Sequence, residues 1–124
     1  MTTSIPPTPG LDEAGALARM NGNSTLFAKL LRRFADQSET TVRRARELVD
    51  AGQIEDARRE VHTIRGAAAT LGLLLVVPDA QALERSIADG AGAPTDLLEA
   101  YERALAATVT LAREVAARHV PPPA

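Results

Sequence analysis

The sequence predicts an all-α fold, an up-down-up-down four-helix bundle with a short additional helix at its N-terminal end, and three observations predict it. Ala occurs 24 times and aromatic residues make up only 2% of the chain, a composition rich in helix formers and poor in the side chains that strands favour. Apolar residues recur at spacings of three and four through four long segments. Gly and Pro fall between those segments, where they end one helix and start the next.

The first helix spans about Leu11 to Met20 and stops at Asn21-Gly22. Asn23 or Ser24 caps the second, whose stripe is Phe27, Leu31, Phe34, Ser38, Thr41, Ala45 and Leu48, widened by Leu30, Val42 and Val49. It ends near Gly52. The third carries the most regular stripe, Ile54, Ala57, Val61, Ile64, Ala68 and Leu71, with Gly72 placed to stop it in a left-handed cap. Pro78 fits the first turn of a fourth helix with Ala80, Leu83 and Ile87 inside, ending before Asp89-Gly90. Asp96 and Glu99 resemble a capping box for a fifth, whose inner face is Leu98, Tyr101, Leu105, Thr108, Ala112 and Val115. Four amphipathic helices with short connections pack most simply as a bundle, the short first helix capping one end. Residues 1–10 and 120–124, rich in Pro, read as extended tails around a module of residues 11–119.

Composition removes several classes of function. With 124 residues the chain is one domain, and zero Cys excludes disulfide scaffolds, thiolate metal sites and cysteine nucleophiles. A net charge of −2, two Phe, one Tyr and no Trp leave neither a basic field nor a stacking platform for nucleic acid. The longest apolar run, Leu71 to Val77, is far shorter than the ~20 residues of a spanning helix. No signal peptide is legible, and a cytoplasmic protein without membrane insertion is expected.

One histidine stands apart. With the core stripe of the third helix centred between Val61 and Ile64, His62 projects about 130° away, toward solvent, and Arg59 and Gly66 lie nearer the outermost line. Arg58, Arg59, Arg65 and Gly66 surround it at one turn, with Ala69 a turn further. Gly66 costs about 1 kcal/mol relative to Ala inside a helix, and facing outward it serves no core packing. Gly66 and Ala69 leave a clearing into which a partner surface can descend, and the guanidinium of Arg65 suits a phosphoryl group on the ring. An exposed imidazole offers a substantial neutral, nucleophilic fraction at physiological pH. No Gly-rich loop for ATP occurs, so any activating machinery sits on a partner.

The run His62-Thr63-Ile64-Arg65-Gly66-Ala67-Ala68-Ala69-Thr70-Leu71-Gly72, followed by Ala80 and Leu83-Glu84, resembles the signature of histidine-containing phosphotransfer domains of multistep phosphorelays. The similarity extends upstream, from Gly10-Leu11-Asp12 through Asn23 and Leu30-Leu31-Arg32-Arg33-Phe34 to Ala51-Gly52, and so covers nearly the whole of residues 11–119. The resemblance implies a non-enzymatic phosphoryl carrier in which His62 is the phosphoacceptor and Arg65 and Glu84 stabilise the phosphate. Arg58, Arg59, Gly66 and Ala69 then form the docking surface. It implies response-regulator receiver domains and a hybrid histidine kinase as partners of a monomer, with no cofactor of its own and Mg²⁺ on the partner receiver. Arg65 stands where Lys is commoner, and Leu73 to Val77 is unusually apolar, suited either to docking or to burial at the end of the bundle.

Other readings of the same residues are a helical adaptor that is never phosphorylated and the phosphoacceptor domain of a chemotaxis-type kinase. The Leu71-Gly72 ending favours the phosphorelay type. A metal-carboxylate bundle needs Glu-x-x-His pairs, whereas the chain has only His62 and His119; His119, beside the Pro-rich tail, is expected to be solvated.

Overall fold

The computed structural model describes residues 8–119. Among them are six helices: α1 (Glu13–Arg19), α2 (Ser24–Thr41), α3 (Arg44–Asp50), α4 (Ile54–Thr70), α5 (Val77–Ala88) and α6 (Thr95–Arg118). The one β feature among these residues is an isolated antiparallel bridge between Leu11 and Leu73. The fold is all-helical, as the composition requires. α2 packs along α6 and α4 along α5, with α3 laid on α4 and α5 on α6.

The stripes turn inward as their spacing demands. Phe27, Leu31 and Phe34 of α2, Val61 and Ala68 of α4, Leu83 of α5 and Tyr101, Leu105 and Val115 of α6 are buried in one core. Removing each large apolar side chain from water contributes about 1.5–3 kcal/mol. Buried Thr108 stays satisfied because its hydroxyl donates to the Ala104 carbonyl at 2.7 Å. Arg46 forks onto Glu102 at 2.7 and 3.0 Å, tying α3 to α6. Arg113 of α6 reaches Asp36 and Glu39 of α2.

Helix ends follow local chemistry, with two departures from the sequence reading. Asn23 caps α2, its side chain accepting from the Leu26 N–H at 3.0 Å. The single second helix expected to run to Gly52 is divided: α2 ends at Thr41 and α3 begins at Arg44. The hydroxyls of Thr40 and Thr41 both donate to the Gln37 carbonyl at 3.0 Å, competing with the backbone ladder at its last turn. The expected capping box at Asp96 and Glu99 does not form. Pro94, extended at φ −57° and ψ 145°, is the N-cap of α6 without a side-chain cap. Its carbonyl accepts from the Leu98 N–H, so Asp96 lies inside the first turn.

α1 closes one end of the molecule and joins three chain segments. Asp12 caps it by accepting from the Gly15 N–H, and the Asp12 N–H donates to the Gly72 carbonyl at 2.8 Å. Gly72 has φ 72°, and a Cβ there would collide with the Asp12 carbonyl oxygen, so glycine is demanded twice at this position. Arg19 donates to the carbonyls of Ala69 and Thr70 at 2.9–3.0 Å, capping the C-terminus of α4 from outside. His119 is not solvated as expected. Its side chain is 14% exposed, its Nε2 lies 2.8 Å from Glu13 Oε1, and its ring meets Phe27 edge-on at 5.2 Å.

The expected tails lie largely outside the described residues, at 1–7 and 120–124. Thr8 to Gly10, assigned to the first tail, form a turn, and the Gly10 carbonyl accepts from the Leu74 N–H at 2.7 Å. In the apolar run that follows α4, Leu73 and Val76 are fully buried and Leu74 is exposed. Burial at the bundle end is the main use of this run.

Candidate functional site

α4 presents its outward face because Val61, Ala57 and Ala68 take the inward one. His62 emerges beside α5 with its side chain 60% exposed. Facing it from α5, next to buried Leu83, is Glu84, whose side chain is 13% exposed. His62 Nδ1 lies 2.6 Å from Glu84 Oε1. Arg65, one turn along α4, donates from Nε to Glu84 Oε2 at 2.5 Å and brings Nη2 to 3.0 Å from His62 Nδ1. The sequence-predicted residues His62, Arg65 and Glu84 therefore converge.

This arrangement fixes the histidine tautomer. A ring nitrogen 2.6 Å from a carboxylate oxygen shares a proton with it, so Nδ1 is the N–H donor and Glu84 the acceptor. Arg65 Nη2 beside the same nitrogen then acts through its charge, and its hydrogen bonds belong to Glu84. Nε2 keeps its lone pair and has no partner among the described residues. Burial alone pushes the Glu84 carboxyl up, but the hydrogen bonds from Arg65 and His62, with their charges, outweigh it and hold Glu84 below the ordinary glutamate range. Glu84 is thus a carboxylate at neutral pH, able to balance positive charge arising on the imidazole. Burial, helped by Glu60, Glu84 and Glu102, pushes the Tyr101 hydroxyl far up, so this neighbour keeps its proton and serves as no base.

The remaining predicted residues lie around this centre. Arg58 is bonded to Glu55 and Arg59 pairs with Asp56 at 3.6 Å, so both close on acids of their own helix and neither on His62. Ala69 is half-buried on the His62 flank, beneath the Arg19 cap. A Cβ built on Gly66 meets nothing within 4 Å, so the clearing inferred from sequence is open. On the other side of Gly66, α4 and α2 enclose a shallow depression of about 320 Å³ lined by Leu30, Phe34, Ala67 and Thr70. The sequence reading placed Leu30 only at the edge of the core stripe and did not anticipate this depression, whose α2 wall it forms with Phe34.

Among the described residues no three His, Cys, Asp or Glu side chains gather as a metal site, and no helix is long and apolar enough to cross a membrane. The family model described as Hpt domain matches residues 29–116, which contain α4, α5 and all three converging residues. Comparison with curated proteins and with solved structures returned no match. An outward histidine with one nitrogen committed and the other free agrees with that family match, and the chain belongs to the Hpt domain family, the histidine phosphocarrier modules of phosphorelays.

Proposed function

We propose that the protein takes a phosphoryl group onto His62 Nε2 from the phosphoaspartate of a receiver domain, or of a hybrid histidine kinase, and passes it to another receiver. The observation that carries this reading is the 2.6 Å contact between His62 Nδ1 and Glu84 Oε1, which commits Nδ1 as the N–H and leaves Nε2 with its lone pair free. In the forward step that lone pair forms the N–P bond as the acyl phosphate P–O bond breaks, and the leaving carboxylate takes the electron pair. The ring becomes an imidazolium that keeps its Nδ1 proton, and the Glu84 carboxylate offsets its charge. Arg65 braces Glu84 in place and adds positive charge beside the ring; a direct contact with the phosphoryl group requires it to leave that carboxylate.

The chain has no Gly-rich ATP loop, so it acts as a carrier and Mg²⁺ belongs to the partner receiver. The receiver settles over Arg58, Arg59, Gly66 and Ala69, with the Leu30/Phe34 depression receiving apolar side chains. The reading is of a cytoplasmic monomer built from residues 11–119, with α2, α4, α5 and α6 as an up-down-up-down bundle; the pairing of α2 with α6 and α4 with α5 supports that bundle. Nucleic acid is no partner, given the near-neutral charge and scarce aromatics.

The direct test is incubation with phosphorylated receiver domains, followed by assay for acid-labile, base-stable phosphate on the chain. Labelling supports the carrier, whereas tight receiver binding without labelling supports the adaptor. Glu84→Gln supplies a graded check: without the carboxylate the imidazolium is less well balanced, and transfer falls a few-fold. Because Glu84 is held below its ordinary value, its contribution to stability is full above ~4.3 and is lost as pH falls through the lower folded value. Thermal melts therefore separate parent from Glu84→Gln at about pH 7, and the difference shrinks as pH falls below the ordinary glutamate value of about 4.3.

A further inference from the structure

Arg65 is the cation that the sequence pattern assigns to the phosphate, yet its Nε and Nη2 gather at Glu84 and at Nδ1, the ring edge opposite the nucleophile. A phosphoryl group on Nε2 projects away from that edge. Side chains on an α-helix lean toward its N-terminus, so a residue covers the surface over the turn before its own Cα. For His62 on α4 that turn carries Arg58, four residues back on the same flank. Arg59, three back, lies on the outer ridge, 70% exposed and turned to Asp56. Arg58 feels the field of Glu84 in addition to that of its partner Glu55, as expected for a guanidinium on the α5 side of the helix beside the site.

We propose that Arg58 is a phosphoryl-binding residue for phosphorylated His62, with Glu55 holding its guanidinium in reserve until the N–P bond forms. This rests on the reading of His62 as phosphoacceptor. The exchange is favoured by simple electrostatics. Glu55 is a single exposed carboxylate on the same helix, and exposed ion pairs add little net stability. A phosphoryl group carries close to two negative charges and accepts the guanidinium fork bidentately. Arg58 then serves the oxygens on the Nε2 side while Arg65 stays with Glu84 on the Nδ1 side, so the imidazole is bracketed by two cations with separate tasks. No bond is made or broken in the exchange; one ion pair replaces another.

The test uses the full chain loaded with phosphoramidate, a small phosphodonor that needs no partner, and follows the ³¹P shift of phosphohistidine against pH. A cation on the oxygens lowers the midpoint of their last ionisation. Arg58→Ala is expected to raise that midpoint by roughly half a pH unit or more, Arg58→Lys to restore part of the shift, and Glu55→Gln to lower the midpoint by releasing Arg58. Arg65→Ala is expected to move it less than Arg58→Ala does. A parental midpoint in Arg58→Ala, or a larger shift in Arg65→Ala, overturns the assignment and leaves the carrier reading standing. A parent that takes no phosphate on His62 from phosphoramidate or from a receiver removes both.

Discussion

His62→Gln is expected to melt with the parental protein and to accept no phosphoryl group from any receiver. The side chain is largely solvent-exposed, so its replacement changes little packing, and a Gln amide can still donate to Glu84. What the amide lacks is a nucleophilic nitrogen lone pair, and no second group replaces it. His119, the other imidazole, is shut between Glu13 and Phe27, and Tyr101 is buried and protonated. Loss of labelling should therefore be complete rather than partial. The check is a melting curve and a transfer time course on one preparation, and residual phosphate on the variant would move the acceptor elsewhere.

Gly66→Gln should separate fold from function in the opposite manner to a core mutation. Gly66 is a helical glycine with open space where its Cβ would be. Gly66→Ala is therefore expected to hold stability or raise it by up to about 1 kcal/mol, through the lost backbone freedom of glycine, with a modest cost in transfer. Gln has good helix propensity, so Gly66→Gln should melt near the parent. Its long side chain, however, stands in the clearing between the imidazole and the Leu30/Phe34 depression, where a partner must descend. Receiver binding and transfer should each fall at least tenfold, or about 1.4 kcal/mol. Parental transfer by this variant would mean that receivers approach from another side, and unfolding would mean that the outward register of α4 is wrong.

Much of the architecture was legible because it is local. The Asn23 cap, the stop at Gly72, Pro78 in the first turn of α5 and the stripe of α6 are all decided within a few residues. The outward direction of His62 and the openness at Gly66 follow from the helical period alone, once Val61 and Ala68 are recognised as core. The two departures lie at helix ends, where local details outweigh the apolar stripe: α2 stops at Thr41, where two threonine hydroxyls bond to one carbonyl, and Pro94 starts α6 ahead of the apparent capping box.

What sequence spacing could not supply is contact between distant segments. The Arg19 cap on α4 joins positions 50 and 51 residues apart, and the His119–Glu13 contact joins positions 106 apart. Leucines 73 and 75 sit in the same short run, yet the first is fully buried and the second only partly, because the Leu11 bridge and α1 cover one side of the loop. The site shows the same division. His62 and Gly66 were readable from one helix, whereas Glu84 entered only through resemblance, and its hold on both Nδ1 and Arg65 depends on how α5 packs against α4.

Glu84 commits Nδ1 and so leaves Nε2 of His62 as the nucleophile. The most direct measurement is ¹⁵N and ³¹P NMR of the histidine-labelled protein before and after transfer from a phosphorylated receiver, which identifies both the residue and the ring nitrogen bonded to phosphorus. The His62 ring is expected to be protonated at Nδ1 beforehand and to carry phosphorus on Nε2 afterwards, with the His119 resonances unchanged. Phosphorus on Nδ1 of His62, or on His119, would contradict it.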